Sequence, residues 1–286
     1  GHSHTWLDEY PTVVEAPNGK PVQIVQAYAY SKYLGELTVT WDDNGDVVEA
    51  EGQPWLLDAR VPEDKEMLAL INEKAAPLEE IKAKVVGASA DIIDGDRSNC
   101  RARVCQMGVL VTEAMLDRVK DQGVQIVIQN GGGLRASIDA GEITMGEVLT
   151  VLPFQNTLAT FDLKGADVIA ALENGVSRAE EGAGRFPQVA GMKYSWNPKA
   201  DAGSRIVSVE VQQADGSFAP LDPEATYGVA SNNYMRGGGD GYSVFETNGM
   251  NAYDYGPGLE DVVAEYIAKL GGTYTPTVDD RITEVE

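Results

Sequence analysis

Three consecutive glycines at the end of an apolar run constrain this chain more than any other feature. Residues 124–128 form a short, mostly β-branched run that predicts a buried strand, and residues 129–135 follow as Gln-Asn-Gly-Gly-Gly-Leu-Arg. A strand that runs into glycines lets the backbone approach a ligand closely and expose its N–H groups. Arg135 adds a planar guanidinium that suits a phosphate or carboxylate. The segment indicates an anion site; the alternative is a tight glycine turn with a surface arginine.

The rest of the chain mixes strands with helices. The composition and periodicity predict strands over residues 22–30, 34–41, 84–88, 124–128, 157–163, 206–212, 217–221, 227–231 and 282–285. Apolar residues at helical spacing predict helices over residues 62–83, 107–119, 144–152, 165–176 and 259–270. An Asp215-Gly216 pair between two strands predicts a hairpin. The predicted fold class is therefore α/β (α+β) with a mixed sheet.

The pattern also predicts how the chain is organised. Its 286 residues suffice for one large or two ordinary domains. The sequence of residues 1–61 predicts antiparallel hairpins that need a partner surface to be stable. The sequence of residues 84–286 predicts a second unit. Residues 62–83 are either a linker helix or an ordinary packed helix. We find no apolar run of membrane-spanning length and a polar start without a signal peptide, so we expect a mature or truncated piece.

The charge balance excludes one class of partner. The formal net charge is −23 and the isoelectric point is near 4.3. Nucleic acid needs a basic face, so we do not expect it as a partner. The negative charge also opposes long-range attraction of an anionic substrate, so any phosphate site must depend on a few local arginines.

The only cysteines are Cys100 and Cys105. Their spacing does not match a zinc knuckle, and no second pair is present. The pair allows either a small disulfide loop, which implies an oxidising compartment, or two free buried thiols.

Groups that suit a nucleotide are concentrated in four clusters. Residues 97–105 hold three arginines, and the glycine run adds Asn130 and Arg135. Residues 153–156 present Phe154 beside an amide, although a phenylalanine is by default a core residue.

The fourth cluster, residues 232–242, surrounds one carboxylate with glycines and tyrosines. Asp240 can accept hydrogen bonds from a sugar diol or, alternatively, cap a turn. Together the clusters offer arginines for phosphate, rings for stacking, an amide, and a carboxylate for hydroxyl groups.

These motifs resemble the carboxy-terminal domain of extracellular and periplasmic 5′-nucleotidases. The resemblance covers about residue 84 to the end and rests on motifs in the family's order: Cys100-Arg101-x3-Cys105, Asn130-Gly-Gly-Gly-Leu-Arg135, Leu152-Pro-Phe154 and Gly238-Gly-Asp240-Gly241. The opening Gly1-His2-Ser3-His4-Thr5 resembles a motif near the end of that family's metallophosphoesterase domain.

The resemblance implies a role for each matching residue. It implies that Arg101, Asn130 and Arg135, with Gly132 and Gly133 in the same motif, contact the phosphate or ribose of a nucleotide or nucleoside. It implies that Phe154 and Tyr234 sandwich the base, that Asn156 helps to recognise it, and that Asp240 holds the ribose hydroxyls. Tyr234 stands where the family often has phenylalanine. The cysteine pair matches a family disulfide.

The resemblance further implies a metal-dependent hydrolase located in the periplasm or outside the cell. In the family, two divalent ions such as Zn or Mn sit in an amino-terminal domain, and His2 and His4 would be ligands or near-ligands in the full-length enzyme. The other metal motifs are missing here, so we expect no metal pair and no hydrolysis from this part alone. The alternatives are a non-catalytic nucleotide-binding or adhesion module, and a relative acting on cyclic nucleotides, nucleotide sugars or sulfur conjugates.

Overall fold

A computed structural model describes residues 4–285 and divides the chain into two compact units. One unit ends at Lys74 and the other begins at Ala75, so the boundary falls inside helix α1 (Lys65–Ala83).

The smaller unit contains two antiparallel hairpins. They are formed by β1 (Thr12–Glu15) with β2 (Pro21–Ile24), and by β3 (Tyr33–Trp41) with β4 (Val47–Leu56). The strand predicted over residues 22–30 is too long, since β2 ends at Ile24. The chain leaves the extended conformation because Tyr28, Tyr30 and Ser31 adopt positive φ, a region closed to a regular strand.

Helix α1 begins three residues later than the sequence predicts. The carboxylate of Asp64 accepts a hydrogen bond from the N–H of Met67 at 2.8 Å, which places the start of the helix after Asp64. None of the residues of α1 is buried, and its apolar side chains, such as Ile71, are exposed. The helix is present as predicted, and its apolar stripe faces outward.

The larger unit alternates strands and helices. Its strands are β5 (Val85–Ser89), β6 (Val124–Asn130), β7 (Gly141–Thr144), β8 (Leu158–Lys164), β9 (Pro187–Ala190), β10 (Met192–Trp196), β11 (Ile206–Gln212), β12 (Phe218–Pro220), β13 (Thr226–Asn232), β14 (Met250–Tyr253), β15 (Thr273–Tyr274) and β16 (Ile282–Glu284). Its helices after α1 are α2 (Arg97–Cys100), α3 (Gln106–Val119), α4 (Met145–Val151), α5 (Gly165–Val176), α6 (Asn233–Arg236), α7 (Ser243–Asn248) and α8 (Leu259–Leu270).

The sheets are mixed, which confirms the predicted fold class. Within residues 4–285 the main sheet has five strands in the order β14-β8-β13-β6-β9, with β13 parallel to β6 and antiparallel to β8. A second sheet has the order β12-β11-β10-β16, and its β11–β12 hairpin turns at Asp215-Gly216 as predicted.

The main sheet separates two hydrophobic clusters. Val127 of β6 faces one cluster, with α3 and α8, while Ile126 and Ile128 face the other, with α5, β10 and β11. Alternate residues of β6 thus point to opposite sides, as they must in a strand covered on both faces. This packing holds the ends of β6 and its neighbours rigidly.

Some strands have weak local signals and are absent from the sequence prediction. β9 begins at Pro187, which a strand tolerates as its first residue, and Gly191 separates β9 from β10 with a φ of 70°. None of the helices in the described part of the chain has the length and apolar character needed to cross a lipid bilayer.

Candidate functional site

Four loops of the larger unit meet at one end of the main sheet. β6 and β13 are parallel neighbours, so their carboxyl ends lie at the same end. β8 and β9 run antiparallel to these strands, so the segments leading into β8 and β9 reach that end too. The loops concerned are residues 131–135, 153–157, 182–186 and 233–242. Three of the clusters singled out in the sequence therefore lie at one place.

The glycine turn after β6 serves close packing. The N–H groups of Gly131 and Gly132 donate to the carbonyls of Phe186 and Gly184, each at 2.7 Å, so these two donors are engaged within the protein. A Cβ on Gly132 would lie 2.8 Å from the Cα of Gly184, and one on Gly131 would lie 2.0 Å from the carbonyl oxygen of Cys100. The glycines allow three loops to touch. The contact of Gly132 and Gly133 with a substrate stays a prediction.

Three amide side chains form a buried network beneath the turn. Asn232 donates through Nδ2 to Gln129 Oε1 at 2.9 Å and to Asn130 Oδ1 at 3.0 Å, and Gln129 donates to Asn130 Oδ1 at 3.2 Å. All three residues are nearly or fully inaccessible to solvent. Because Asn130 Oδ1 receives these bonds, its Nδ2 must face outward, towards the loop after β13.

The outward-facing Nδ2 of Asn130 contacts Asp240. Asn130 Nδ2 donates to Asp240 Oδ2 at 2.7 Å, and the hydroxyl of Tyr234 donates to Asp240 Oδ1 at 3.0 Å. The Asp240 N–H returns a bond to the Tyr234 oxygen at 3.1 Å. Asp240 has a φ of 54°, a left-handed conformation that is uncommon outside glycine. Its carboxylate therefore joins two loops instead of capping its own turn.

Burial and the neighbouring carboxylate both raise the pKa of Tyr234. Burial is the larger cause of its raised pKa, and the charge and hydrogen bond of Asp240 raise the pKa further. The hydroxyl therefore stays protonated and can donate at neutral pH. The structure thus gives a partner to the hydroxyl group by which this residue differs from the family's usual phenylalanine.

Two aromatic rings at this end of the sheet remain open to solvent. Phe154 is 54% exposed and Tyr234 is 48% exposed. Their loops are tied together, since Thr157 and Asn233 exchange two hydrogen bonds of 3.1 and 3.0 Å. The default expectation that Phe154 belongs to the core is wrong. Exposed rings held by a rigid backbone are suited to stacking against a flat ligand.

Arg135 and Asn156 lie next to Phe154. The guanidinium of Arg135 sits over the Phe154 ring at 5.5 Å from its centroid and donates to the carbonyl of Gly132 at 3.3 Å. Asn156 lines a recess of about 10 Å³ together with Phe154 and Gly133, which is room for about one water molecule. A base would therefore have to lie against the ring and not inside the recess.

The disulfide loop, residues 97–105, packs against the same end of the sheet. Cys100 and Cys105 form a disulfide, and Arg101 donates from Nη1 to the carbonyl of Gly182 at 3.3 Å. Gln188 is fully buried and holds the loop, because its amide donates to the carbonyls of Cys100 and Arg103 and accepts from the N–H of Cys105. The backbone that carries Arg101 is thus fixed beside the glycine turn.

Of the residues singled out for metal binding, His2 falls outside the described residues and His4 lies in the smaller unit. His4 has its ring edge-on to Tyr30, with the centroids 5.0 Å apart. Across residues 4–285, no group of three or more His, Cys, Asp or Glu side chains could hold a metal ion. The described residues therefore do not fit a metal pair.

Several residues at this end of the sheet have no role predicted from the sequence. Gln129, Asn232, Asn174 and Arg185 all belong to the hydrogen-bond network around Asn130 and Asp240. One signal was available for two of them: Gln129 and Asn232 are amides that follow the apolar runs at the ends of β6 and β13. Adjacent parallel strands that both end in amides indicate a shared polar network.

Comparison with known proteins points to one family. The model of the family described as 5′-nucleotidase, C-terminal domain matches residues 85–247. The trifunctional nucleotide phosphoesterase protein of Bacillus subtilis is 37% identical over 288 residues, which cover 100% of this chain and 19% of that protein. The 5′-nucleotidase of Bos taurus is 34% identical over 307 residues, covering 99% of this chain and 53% of the bovine protein.

A solved structure agrees with this result. The 5′-nucleotidase precursor from Thermus thermophilus shares 39% sequence identity with this chain and superposes with a TM-score of 0.78, covering 100% of this chain and 58% of that one. The chain thus spans little more than half the length of the bovine and Thermus proteins, and less of the Bacillus protein.

Proposed function

The chain belongs to the 5′-nucleotidase family, and we propose that it forms the substrate-binding part of an enzyme that hydrolyses nucleoside 5′-phosphates to nucleoside and phosphate. One observation carries the proposal: the loops at the end of the main sheet bring an acceptor carboxylate, two exposed rings and an arginine together. Asp240 is bonded to Tyr234 and Asn130, and Arg135 lies over Phe154.

Each of these groups suits one part of a nucleotide. The exposed faces of Phe154 and Tyr234 would stack on the base, a contact worth about 1–3 kcal/mol for each base and tolerant of its identity. Asp240 keeps acceptor capacity after its two bonds, because a carboxylate offers about four lone-pair sites. Those sites would accept hydrogen bonds from the ribose hydroxyls. Asn156 would contact the edge of the base.

The phosphate would be held by local cations. Arg135 and Arg101 are the arginines that the glycine turn and the disulfide loop bring to this end of the sheet. Since the chain carries a net charge of −23, attraction at long range is unfavourable, and the binding energy must come from these short contacts.

Hydrolysis itself requires more than this chain. Divalent ions in this family's enzymes would supply an activated water, and the relatives are long enough to contain a further domain. The described residues 4–285 offer no group of ligands for such ions. We propose that this chain binds nucleotides and nucleosides and leaves bond breaking to the rest of a longer protein.

Calorimetric titration with AMP and adenosine tests the proposal. We expect dissociation constants of about millimolar or tighter, and a loss of affinity of about 5- to 150-fold for both ligands in Phe154→Ala, as expected for the loss of about 1–3 kcal/mol of stacking. Phe154→Ala should melt like the wild type because the ring is half exposed. Phe218→Ala, which removes a ring on the second sheet, is the matched control.

The comparison of AMP with adenosine separates phosphate binding by Arg135 from stacking on the base. Arg135→Ala should weaken AMP more than adenosine, because only AMP has the phosphate. Absence of binding at millimolar ligand with a folded protein would reject the proposal, and would favour a module that keeps the scaffold without recognising nucleotides. Equal losses for AMP and adenosine in Arg135→Ala would reject the phosphate role.

We propose a location in the periplasm or outside the cell. The support is the disulfide between Cys100 and Cys105, since such bonds persist in oxidising compartments. Alkylation of protein taken directly from its source, without reduction, should label neither cysteine. Labelling of both would contradict the proposed location.

A further inference from the structure

Helix α5 reaches the left-handed turn that carries Asp240. Asn174, near the end of α5, donates from Nδ2 to the backbone carbonyl of Asp240 at 3.2 Å. A Cβ on Gly241 would lie 2.7 Å from Asn174 Oδ1, so only glycine lets the turn approach the helix this closely. We infer that Asn174 is a positioning residue, which holds Asp240 in its left-handed conformation and thereby sets recognition of the ribose. This inference rests on the proposed function.

The orientation of the Asn174 amide is set by Arg185. Arg185 donates from Nη1 to Asn174 Oδ1 at 3.1 Å and to Ser177 Oγ at 3.3 Å. A guanidinium only donates, so it must face the oxygen of the amide and not its nitrogen. Nδ2 is consequently directed at Asp240. Arg185 is itself anchored, because its carbonyl accepts a 2.7 Å bond from the hydroxyl of the buried Tyr242.

The bond from Asn174 favours one backbone state over others. Residue 240 has φ 54° and ψ 21°, which a residue with a Cβ adopts only when its surroundings favour it. A change to an ordinary φ would rotate the carbonyl of Asp240 away from α5. It would also move the carboxylate from Asn130 and Tyr234. A donor that meets the carbonyl only in the left-handed state therefore stabilises the state in which the Asp240 carboxylate is bonded to Asn130 and Tyr234.

The test compares two ligands that differ only in the ribose hydroxyls. Adenosine and 2′,3′-dideoxyadenosine are titrated into the full chain by NMR. Asn174→Ala should bind adenosine about 3- to 10-fold more weakly, as expected for one hydrogen bond, and should bind the dideoxynucleoside as the wild type does. Asn174→Asp keeps the shape and the acceptor for Arg185 but has no donor for Asp240. It should show the same loss.

Ser177→Ala is the matched control. It removes the other acceptor of Arg185 and leaves the Asn174–Asp240 bond in place, so the preference for adenosine should persist. A general loosening of the turn would weaken both ligands alike. A fall in adenosine binding that Ser177→Ala reproduces would overturn the inference.

The Asp240→Ala variant tests the ribose contact of Asp240 separately from the positioning role of Asn174. If Asp240→Ala keeps the preference for adenosine, the proposed ribose contact is wrong. If Asp240→Ala loses the preference and Asn174→Ala keeps it, only the positioning role is wrong.

A second measurement does not depend on binding. The Asp240 N–H donates to Tyr234, and its hydrogen exchange should accelerate in Asn174→Ala and Asn174→Asp but not in Ser177→Ala. Unchanged exchange in the two Asn174 variants would overturn the inference even if no ligand binds.

Discussion

Replacement of Asn232 by alanine should destabilise the larger unit severely. Asn232 is fully buried, donates to Gln129 and Asn130, and accepts the N–H of Met235 at 2.8 Å to cap α6. In the alanine variant Asn130 Oδ1 keeps its bond from Gln129, whereas Gln129 Oε1 and the Met235 N–H lose their partners.

The expected cost follows from these two groups. A buried acceptor left without a partner costs about 1–3 kcal/mol, and a lost helix cap costs about 0.5–2 kcal/mol. The sum is about 1.5–5 kcal/mol, a substantial share of the roughly 5–15 kcal/mol that stabilises an ordinary domain. Asn232→Ser should fall between the wild type and Asn232→Ala, because serine can still cap α6 but is too short to reach Gln129.

Urea unfolding followed by tryptophan fluorescence measures this cost. The chain has four tryptophans, and Trp196 is the one in the larger unit, where it is buried against Phe186. Replacing the other three by phenylalanine makes the signal specific for the larger unit, which avoids mixing the unfolding of two units.

The control for this prediction is Asn248→Ala. Asn248 makes an exposed hydrogen bond of 2.7 Å to Asp167, so its removal should cost less than about 1 kcal/mol. The reasoning is refuted if Asn232→Ala costs no more than this control. It is also refuted if Asn232→Ser is as unstable as Asn232→Ala.

Three further changes test other parts of the unit. The buried guanidinium of Arg205 hydrogen-bonds to Glu180 and lowers the pKa of that carboxyl from its usual 4.5 to about 2. The ion pair therefore stabilises the fold fully above pH 4.5, and this stabilisation disappears as the pH falls from 4.5 towards 2. Melting curves across this window should fall more steeply with pH for the wild type than for Glu180→Gln, and parallel curves would argue against the pair. Gly239→Ala places a methyl group 2.5 Å from the ring of Tyr234, which can turn aside, so adenosine affinity should drop in a titration while the melting temperature changes little. Gln188→Ala leaves three backbone groups of the disulfide loop without their partner and should cost about 2–4 kcal/mol in urea unfolding, and a cost below 1 kcal/mol would count against its role.

The sequence predicted most accurately those helices whose own residues determine where they begin and end. The helices Gly165–Val176 and Leu259–Leu270 have the predicted bounds, because acidic first turns and regular apolar stripes favour a helix wherever it packs. The predicted extension of a strand to Tyr30 was wrong, because aromatic residues favour strands on average while Tyr28 and Tyr30 adopt positive φ.

The sequence motifs predicted a candidate site, but they did not predict the contacts between its residues. The sequence identified Asn130 and Asp240 as polar groups beside glycines, but nothing local shows that one donates to the other. The buried bond between Gln129 and Asn232 joins residues 103 positions apart, which only the parallel pairing of β6 and β13 brings together. The exposure of Phe154 likewise depends on the loops around it, and residue preference predicted the opposite.

The contact between Asn130 and Asp240 spans 110 positions of the chain. A short peptide that contains only one of these two residues cannot form this candidate site. During synthesis it stays incomplete until the last of its segments has left the ribosome, and a proteolytic cut that separates those segments should abolish it. The candidate site is therefore formed late, when both of these segments have folded together.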